Sequence, residues 1–299
     1  MTVVVDPKPL VAERPSRRAC PVCGADDVRR WFREDSASIG RCRACKTLYT
    51  FEPCTSSPAD YFREDYFQGD SHLESMFGSY RADAFRQFGD VLREYKGGGR
   101  LLDIGCAAGD FLVTLDATGW MAVGVEPSTM ATAKARARGL NVVEGIFGAA
   151  TLPHDRFDAI TVLDMLGHVE DPRTLMQTVT SLLTDHGVVL IEVPGFTFRL
   201  IKNTGPIAYW KYRRWCQLNP RDFVFFVSSR TMRRLLDDAG LELIEIRDVR
   251  PNRYGSSLKQ TGFRAYFHFV RAIGRATGGR LMLATKILYV ARRKTANRV

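Results

Sequence analysis

A chain of 299 residues with 45% hydrophobic content has enough apolar mass for a sizeable core, which excludes wholesale disorder. Its formal charge of +10 is uneven: residues 199–299 hold 22 Arg and Lys against 6 Asp and Glu, so the remainder is net acidic. No window approaches about 18 consecutive apolar residues and the N-terminus has no apolar leader run, so the expected protein is cytoplasmic, with neither a spanning helix nor a signal peptide.

Residues 1–18, with prolines at 7, 9 and 15, read as a flexible tail. Next come Cys20-x2-Cys23 and Cys42-x2-Cys45. Two such knuckles put four thiolates on paired turns, the arrangement that closes tetrahedrally around Zn2+. Four protein ligands leave no position for a reactive water, so the expected zinc is structural, holding a module over 19–56 that is too small to fold alone. Trp31, Phe32 and Ile39 are expected on small strands between the knuckles, and Cys54, Cys106 and Cys216 have no partner at ligand spacing.

Residues 57–96 form an expected helical cover. Tyr61, Phe62, Tyr66 and Phe67 are a dense aromatic cluster, and Phe77, Tyr80, Ala84, Phe88, Leu92 and Tyr95 continue at helical spacing until glycines 97–99 stop it.

The stretch Arg100 to Leu115, RLLDIGCAAGDFLVTL, organises the rest. Leu101, Leu102 and Ile104 around Asp103 read as a buried parallel strand, Gly105 and Gly109 bracket a tight turn, and a helix restarts at Asp110. The next strand ends at Glu126, 21 residues after Gly105, where a carboxylate suits a ribose diol. The glycine spacing is G-x-x-x-G rather than G-x-G-x-x-G, so the loop looks built for an adenosine ligand without a pyrophosphate. Downstream, Ser128 is the expected cap of a helix through Ala137, Asn141 to Val143 a third strand, and Phe157 to Leu163 a fourth that leads into Asp164 and MLGHVEDP. Pro172 opens a helix, HGVVLIEVP is a fifth strand, residues 196–226 are aromatic and basic without clean periodicity, LELIEIRDV is a sixth strand and KILYVARR a seventh. Residues 258–280 read as a basic amphipathic helix, suited to its own sheet, a lid, a partner or a membrane surface.

LLDIGCAAGDFL, VGVEPS, FDAITVLDMLGHVEDP and GVVLIEVP, in that order, resemble class I S-adenosylmethionine (SAM)-dependent methyltransferases, most nearly the ubiquinone-biosynthesis-like branch. The resemblance implies an α/β fold: a seven-stranded, mostly parallel Rossmann-like sheet over 97–299, the last strand antiparallel, with the zinc-knuckle module in front and the acceptor-binding insertion at 196–226. It implies SAM contacts from Asp103, Gly105, Cys106, Gly109, Phe111, Glu126, Pro127 and Leu163. It places Ile146 and Phe147 against adenine and Arg81 by the methionine carboxylate, and it makes Tyr61, Tyr66 and Tyr80 further candidates for that carboxylate or for the acceptor. His168 matches the branch's base-bearing histidine, Gly167 stands where a glutamate is usual, and Asp222 where a histidine often stands; Asp164 and Tyr80 are the alternative catalytic groups. LDML after the fourth strand departs from the Asn/Asp-Pro-Pro-aromatic tetrad of many nitrogen methyltransferases. The implied reaction is O-methylation of a small hydroxylated biosynthetic intermediate, anionic or carrier-linked. The alternatives are C-methylation, since the cysteine-rich front resembles that of deoxysugar C-methyltransferases, and RNA modification, which would need a continuous basic track.

Overall fold

The computed structural model describes residues 17–34, 37–53, 81–115, 119–148, 152, 156–212, 216, 218–220, 222–250, 257–277 and 282–294. Strands β1 (Val28–Glu34), β2 (Ala37–Cys42) and β3 (Leu48–Glu52) form an antiparallel meander at the N-terminus. Helix α1 (Ala82–Tyr95) follows, then β4 (Gly99–Ile104), α2 (Asp110–Thr114), β5 (Trp120–Glu126), α3 (Thr129–Ala137), β6 (Val142–Glu144) and β7 (Phe157–Leu163). The chain continues through a 3-10 turn (Leu166–His168), α4 (Pro172–Leu182), β8 (Leu183–Pro194), α5 (Phe196–Asn203), α6 (Gly205–Tyr212) and β9 (Phe225–Phe226). Helix α7 (Ser229–Asp238), β10 (Leu241–Asp248), α8 (Ser257–Ala276) and β11 (Lys286–Arg293) complete it.

The large sheet has the order β10-β11-β8-β7-β4-β5-β6. All its pairs are parallel except those made by β11, which runs antiparallel to β8 and β10. The central strands are largely apolar because both faces are covered: Leu101, Leu102, Ile104, Ile160, Val162, Leu190 and Ile191 are buried, with Asp103, Thr161 and Glu192 as the buried polar exceptions. From β4 the chain winds one way through β5 and β6, then returns past β4 to β7 and β8. The strand order therefore reverses between β4 and β7, and the carboxyl ends of those strands flank the crevice where ligands collect in open α/β sheets.

Local chemistry sets the helix starts. Ser128 and Ser228 accept backbone N–H groups of α3 and α7, and Asp171 caps α4 ahead of Pro172 at its first position. The segment after β8, without clean periodicity in sequence, is two short helices followed by β9. Strand β9 is the fourth strand of the N-terminal sheet, pairing Phe226 with Leu48 and Phe225 with Tyr49. The cysteine-rich front is thus sewn into the fold through residues almost two hundred positions away. Helix α8 packs through buried Val270 and through Tyr266, whose hydroxyl donates to the Leu283 carbonyl at 2.6 Å, while Arg264, Arg271 and Arg275 stay exposed. Among the described residues no helix is long and apolar enough to cross a membrane.

Candidate functional site

At the reversal point lies a cavity of about 620 Å3. Its floor is the turn after β4. Gly105 (φ +73°) and Gly109 (φ +78°) are left-handed as the glycine spacing suggests, and Ala107 between them is left-handed too (φ +49°). The two glycines do different work. Gly105 lines the cavity, whereas Gly109 does not: a Cβ there would lie 2.2 Å from Leu140, so Gly109 serves close packing at the start of α2. Cys106 lines the cavity as a packed thiol, held in its neutral form by burial; a Cβ on Gly124 would meet its sulfur at 2.4 Å.

Glu126 ends β5 at 4% exposure. One carboxylate oxygen accepts the Ala107 N–H at 2.9 Å and the other the Ser128 N–H at 3.0 Å, which fixes the plane of the group. The unusual backbone of Ala107 thereby aims a donor at the strand-end carboxylate. Asp103 is buried at the tip of β4 and accepts the Thr161 hydroxyl at 2.7 Å. Burial pushes its carboxyl up to about 7, with nearby Glu126 adding to the rise. Because the folded value exceeds the reference 3.8, Asp103 favours the native state at acid pH, and that contribution is lost as pH rises from about 4 through about 7. A cationic ligand beside Asp103 favours the ionised form. Affinity for SAM, whose sulfonium and ammonium are positive, is therefore expected to rise between pH 6 and 8 in calorimetric titrations, and Asp103→Asn to flatten that rise.

Phe111, Pro127, Ile146, Phe147 and Leu163 complete the apolar lining, so every expected cofactor residue except Gly109 faces one cavity. Arg81 also lines it, but its guanidinium is engaged: it bonds Glu192 at 2.5 Å, lies 4.0 Å from Asp164 and sits over the Phe85 ring at 4.8 Å. Lys286 completes a quartet, 2.5 Å from Asp164 and 3.2 Å from Glu192. Burial pushes the Asp164 carboxyl up, but Lys286 and Arg81 outweigh it and hold the group below the usual carboxylate range. Asp164 is a weak base for that reason. Glu192 and Lys286 escaped the sequence reading. The signal was a lone carboxylate inside the apolar run VVLIEV: fully buried in a central strand, it has to be paired.

His168 ends the 3-10 turn beyond β7 and lines the same cavity. Its Nδ1 bonds the Asp222 backbone carbonyl, and its ring centre is 4.3 Å from that of Phe223. A carbonyl only accepts, so Nδ1 carries the proton and Nε2 is the basic nitrogen. Burial lowers its pKa below the ordinary imidazole value, against the opposing pull of the Asp222 carbonyl and of Asp164, and so favours the neutral ring. Gly167, in the place of the usual glutamate, has no room for a side chain: a Cβ would stand 3.0 Å from the Phe223 ring and 3.2 Å from the Phe225 carbonyl. Asp222 contributes its carbonyl to the site. Tyr61, Tyr66 and Tyr80 lie outside the described residues.

Cys20, Cys23, Cys42 and Cys45 converge on one point, their four sulfurs all within 4.8 Å of one another. The Cys20–Cys45 and Cys23–Cys42 sulfurs are 3.5 and 3.6 Å apart, far longer than a disulfide and close to the roughly 3.8 Å that a tetrahedral Zn–S length of about 2.3 Å implies. The knuckles repeat one geometry. The residue after each second cysteine, Gly24 (φ +74°) or Lys46 (φ +68°), is left-handed and donates its N–H to the carbonyl of the first, at 2.8 and 3.0 Å. The four thiols are placed to bind a metal ion, and an all-thiolate set suits structural zinc.

Residues 77–246 match the methyltransferase domain family. The chain belongs to that family. It is 29% identical over 111 residues to a ubiquinone biosynthesis O-methyltransferase of Histophilus somni, covering 33% of this chain and 47% of that one. With the protein of the same name from Cupriavidus pinatubonensis it shares 26% over 165 residues, 52% of this chain and 65% of that one. The chain thus spans about half the length of the first of these curated relatives. Among solved structures, magnesium protoporphyrin IX methyltransferase from Synechocystis PCC 6803 with bound SAH superposes with a TM-score of 0.52 at 14% identity, over 79% of this chain and 98% of that one. Methyltransferase-domain membership therefore rests on sequence, and the structural likeness shows the shared fold.

Proposed function

We propose that this protein is a SAM-dependent O-methyltransferase acting on a small hydroxylated acceptor, with His168 as general base. The observation that carries this reading is an imidazole, held through Nδ1 by the Asp222 carbonyl, on the same cavity as the Glu126 carboxylate. Glu126 would hold the ribose, Ile146 and Phe147 the adenine, and Asp103 the positive end of the amino-acid portion. SAM supplies an electrophilic methyl group. The protein's tasks are to align the acceptor oxygen for in-line attack, exclude water and take the hydroxyl proton at His168 Nε2. Among the described residues, the cations beside the cavity are matched by carboxylates, Arg81 and Lys286 by Asp164 and Glu192, which favours a neutral acceptor over an anionic one.

C-methylation of an activated carbon would use the same alignment and base. An RNA substrate is less well supported, because two arginines of the cysteine-rich module, Arg30 with Glu52 and Arg43 with Asp27, and Arg17 just before it with Asp26, are already paired. The test is a panel of phenols, sugars, enols and RNA incubated with methyl-labelled SAM. The expected product carries a methoxy group by NMR; a carbon-bound methyl, or salt-sensitive labelling of RNA alone, would overturn the assignment.

A further inference from the structure

The segment that fixes His168 is itself held from three directions. From the end of β1, Glu34, only 5% exposed, accepts the Leu218 N–H at 2.7 Å and the Asn219 N–H at 3.1 Å, and the Cys216 thiol lies 3.4 Å from the same carboxylate. From α5, Arg199 donates to the Leu218 carbonyl at 2.6 Å and stacks 3.6 Å from the centre of the Phe223 ring. From β3, Thr50 donates its N–H to the Val224 carbonyl at 2.9 Å and its hydroxyl to the Phe223 carbonyl at 2.7 Å. Beyond these grips the segment runs into β9, which pairs with β3. On its other side it meets the turn after β7: Val224 N–H donates to the Gly167 carbonyl at 2.9 Å, and the Asp222 carbonyl accepts the hydrogen bond from His168 Nδ1–H.

We propose that Glu34 and Thr50, both in the cysteine-rich module, are positioning residues for the base: they clamp the strap around Phe223 so that its Asp222 carbonyl holds His168 in the Nδ1–H tautomer. The module is then part of the catalytic apparatus without touching substrate. The proposal rests on reading His168 as the base, and it explains why a metal-stapled front is sewn to the sheet by β9. An imidazole without that carbonyl would divide its proton between two nitrogens, and the fraction protonated on Nε2 accepts nothing from an acceptor hydroxyl. Glu34 is suited to the task because a buried carboxylate taking two backbone N–H donors resists displacement. Gly167 allows the strap to lie this close, since a Cβ there would press on Phe223.

The experiment is NMR of the zinc-loaded full chain labelled with 13C and 15N in histidine, the His168 signals identified by their loss in His168→Gln. The wild type is expected to show the Nδ1–H tautomer and a titration midpoint below the ordinary value of about 6.5. Asp164, Asp222 and Arg199 are the charged groups around the ring that act on this midpoint. In Thr50→Val and Glu34→Gln the tautomers are expected to mix and the midpoint to move further down, because the Asp222 carbonyl that favours the charged ring is released, with SAM affinity changed by no more than about twofold; Thr50→Ser, which restores a hydroxyl, should return the wild-type pattern. Unchanged His168 signals in folded Thr50→Val and Glu34→Gln would overturn the proposal. So would a wild-type ring protonated on Nε2, a result that decides the matter even if neither variant folds. Failure of SAM to bind would refute the methyltransferase reading while leaving the tautomer result intact.

Discussion

Replacing His168 with alanine is expected to lower methyl transfer at least about a hundredfold while leaving SAM affinity nearly unchanged. A positioned imidazole contributes roughly 10^2 to 10^4 in rate when the attacking hydroxyl has to lose its proton. The ring is suited to that work because burial holds it neutral and the Asp222 carbonyl fixes its proton on Nδ1. Since the pKa is lowered, wild-type turnover should rise with pH through a midpoint below that of ordinary imidazole. His168→Ala should lose that limb, and kcat rather than the KM for SAM should carry the loss. Near-normal turnover in the variant would make His168 a packing residue. Asp164 would be a poor substitute, because Lys286 and Arg81 stabilise its charged form.

Removing the metal is expected to have the larger structural effect. Elemental analysis should give about one zinc per chain, as four thiolate ligands require. Chelation or Cys20→Ser should lower the melting temperature by about 10 °C or more, equivalent to roughly 3 kcal/mol at about 2–4 °C per kcal/mol for a domain of this size. The physical reason is that loss of the metal frees more than the knuckles. Val22, Tyr49, Phe51, Cys20, Cys42 and Cys45 belong to the same buried cluster as Ile160, Leu166, Met176 and Phe225, and Thr47 joins Cys45 to Thr231 through hydrogen bonds of 3.2 Å on each side. A metal-free protein of equal stability would refute the structural role.

What was legible in the sequence was local. Gly105 and Gly109 announce a left-handed turn because L side chains seldom take that backbone, and Glu126 announces itself as a carboxylate closing an apolar strand. The paired C-x2-C knuckles carry their own geometry. What stayed hidden depends on pairs distant in sequence. Ala107 is left-handed because its N–H serves Glu126, and no alanine advertises that. Gly167 reads as the loss of a glutamate, whereas it is the space in which Phe223 lies. The strap was illegible because Phe225 and Phe226 have too short a run to show strand periodicity; their pairing with Leu48 and Tyr49 exists only in three dimensions. The Arg81–Glu192–Lys286–Asp164 quartet draws one residue from each of four separate segments, so only the buried Glu192 hinted at it.

The cavity beyond β4, β5 and β7 is expected to bind SAM with Glu126 on the ribose. Isothermal titration calorimetry of SAM into wild-type protein and Glu126→Ala tests it most directly. The expected outcome is one site per chain in the wild type, weakened by about 1–3 kcal/mol in the variant, the range for losing hydrogen bonds to a charged group. Equal affinity in the two proteins, or no binding of SAM to a folded wild type, would contradict it.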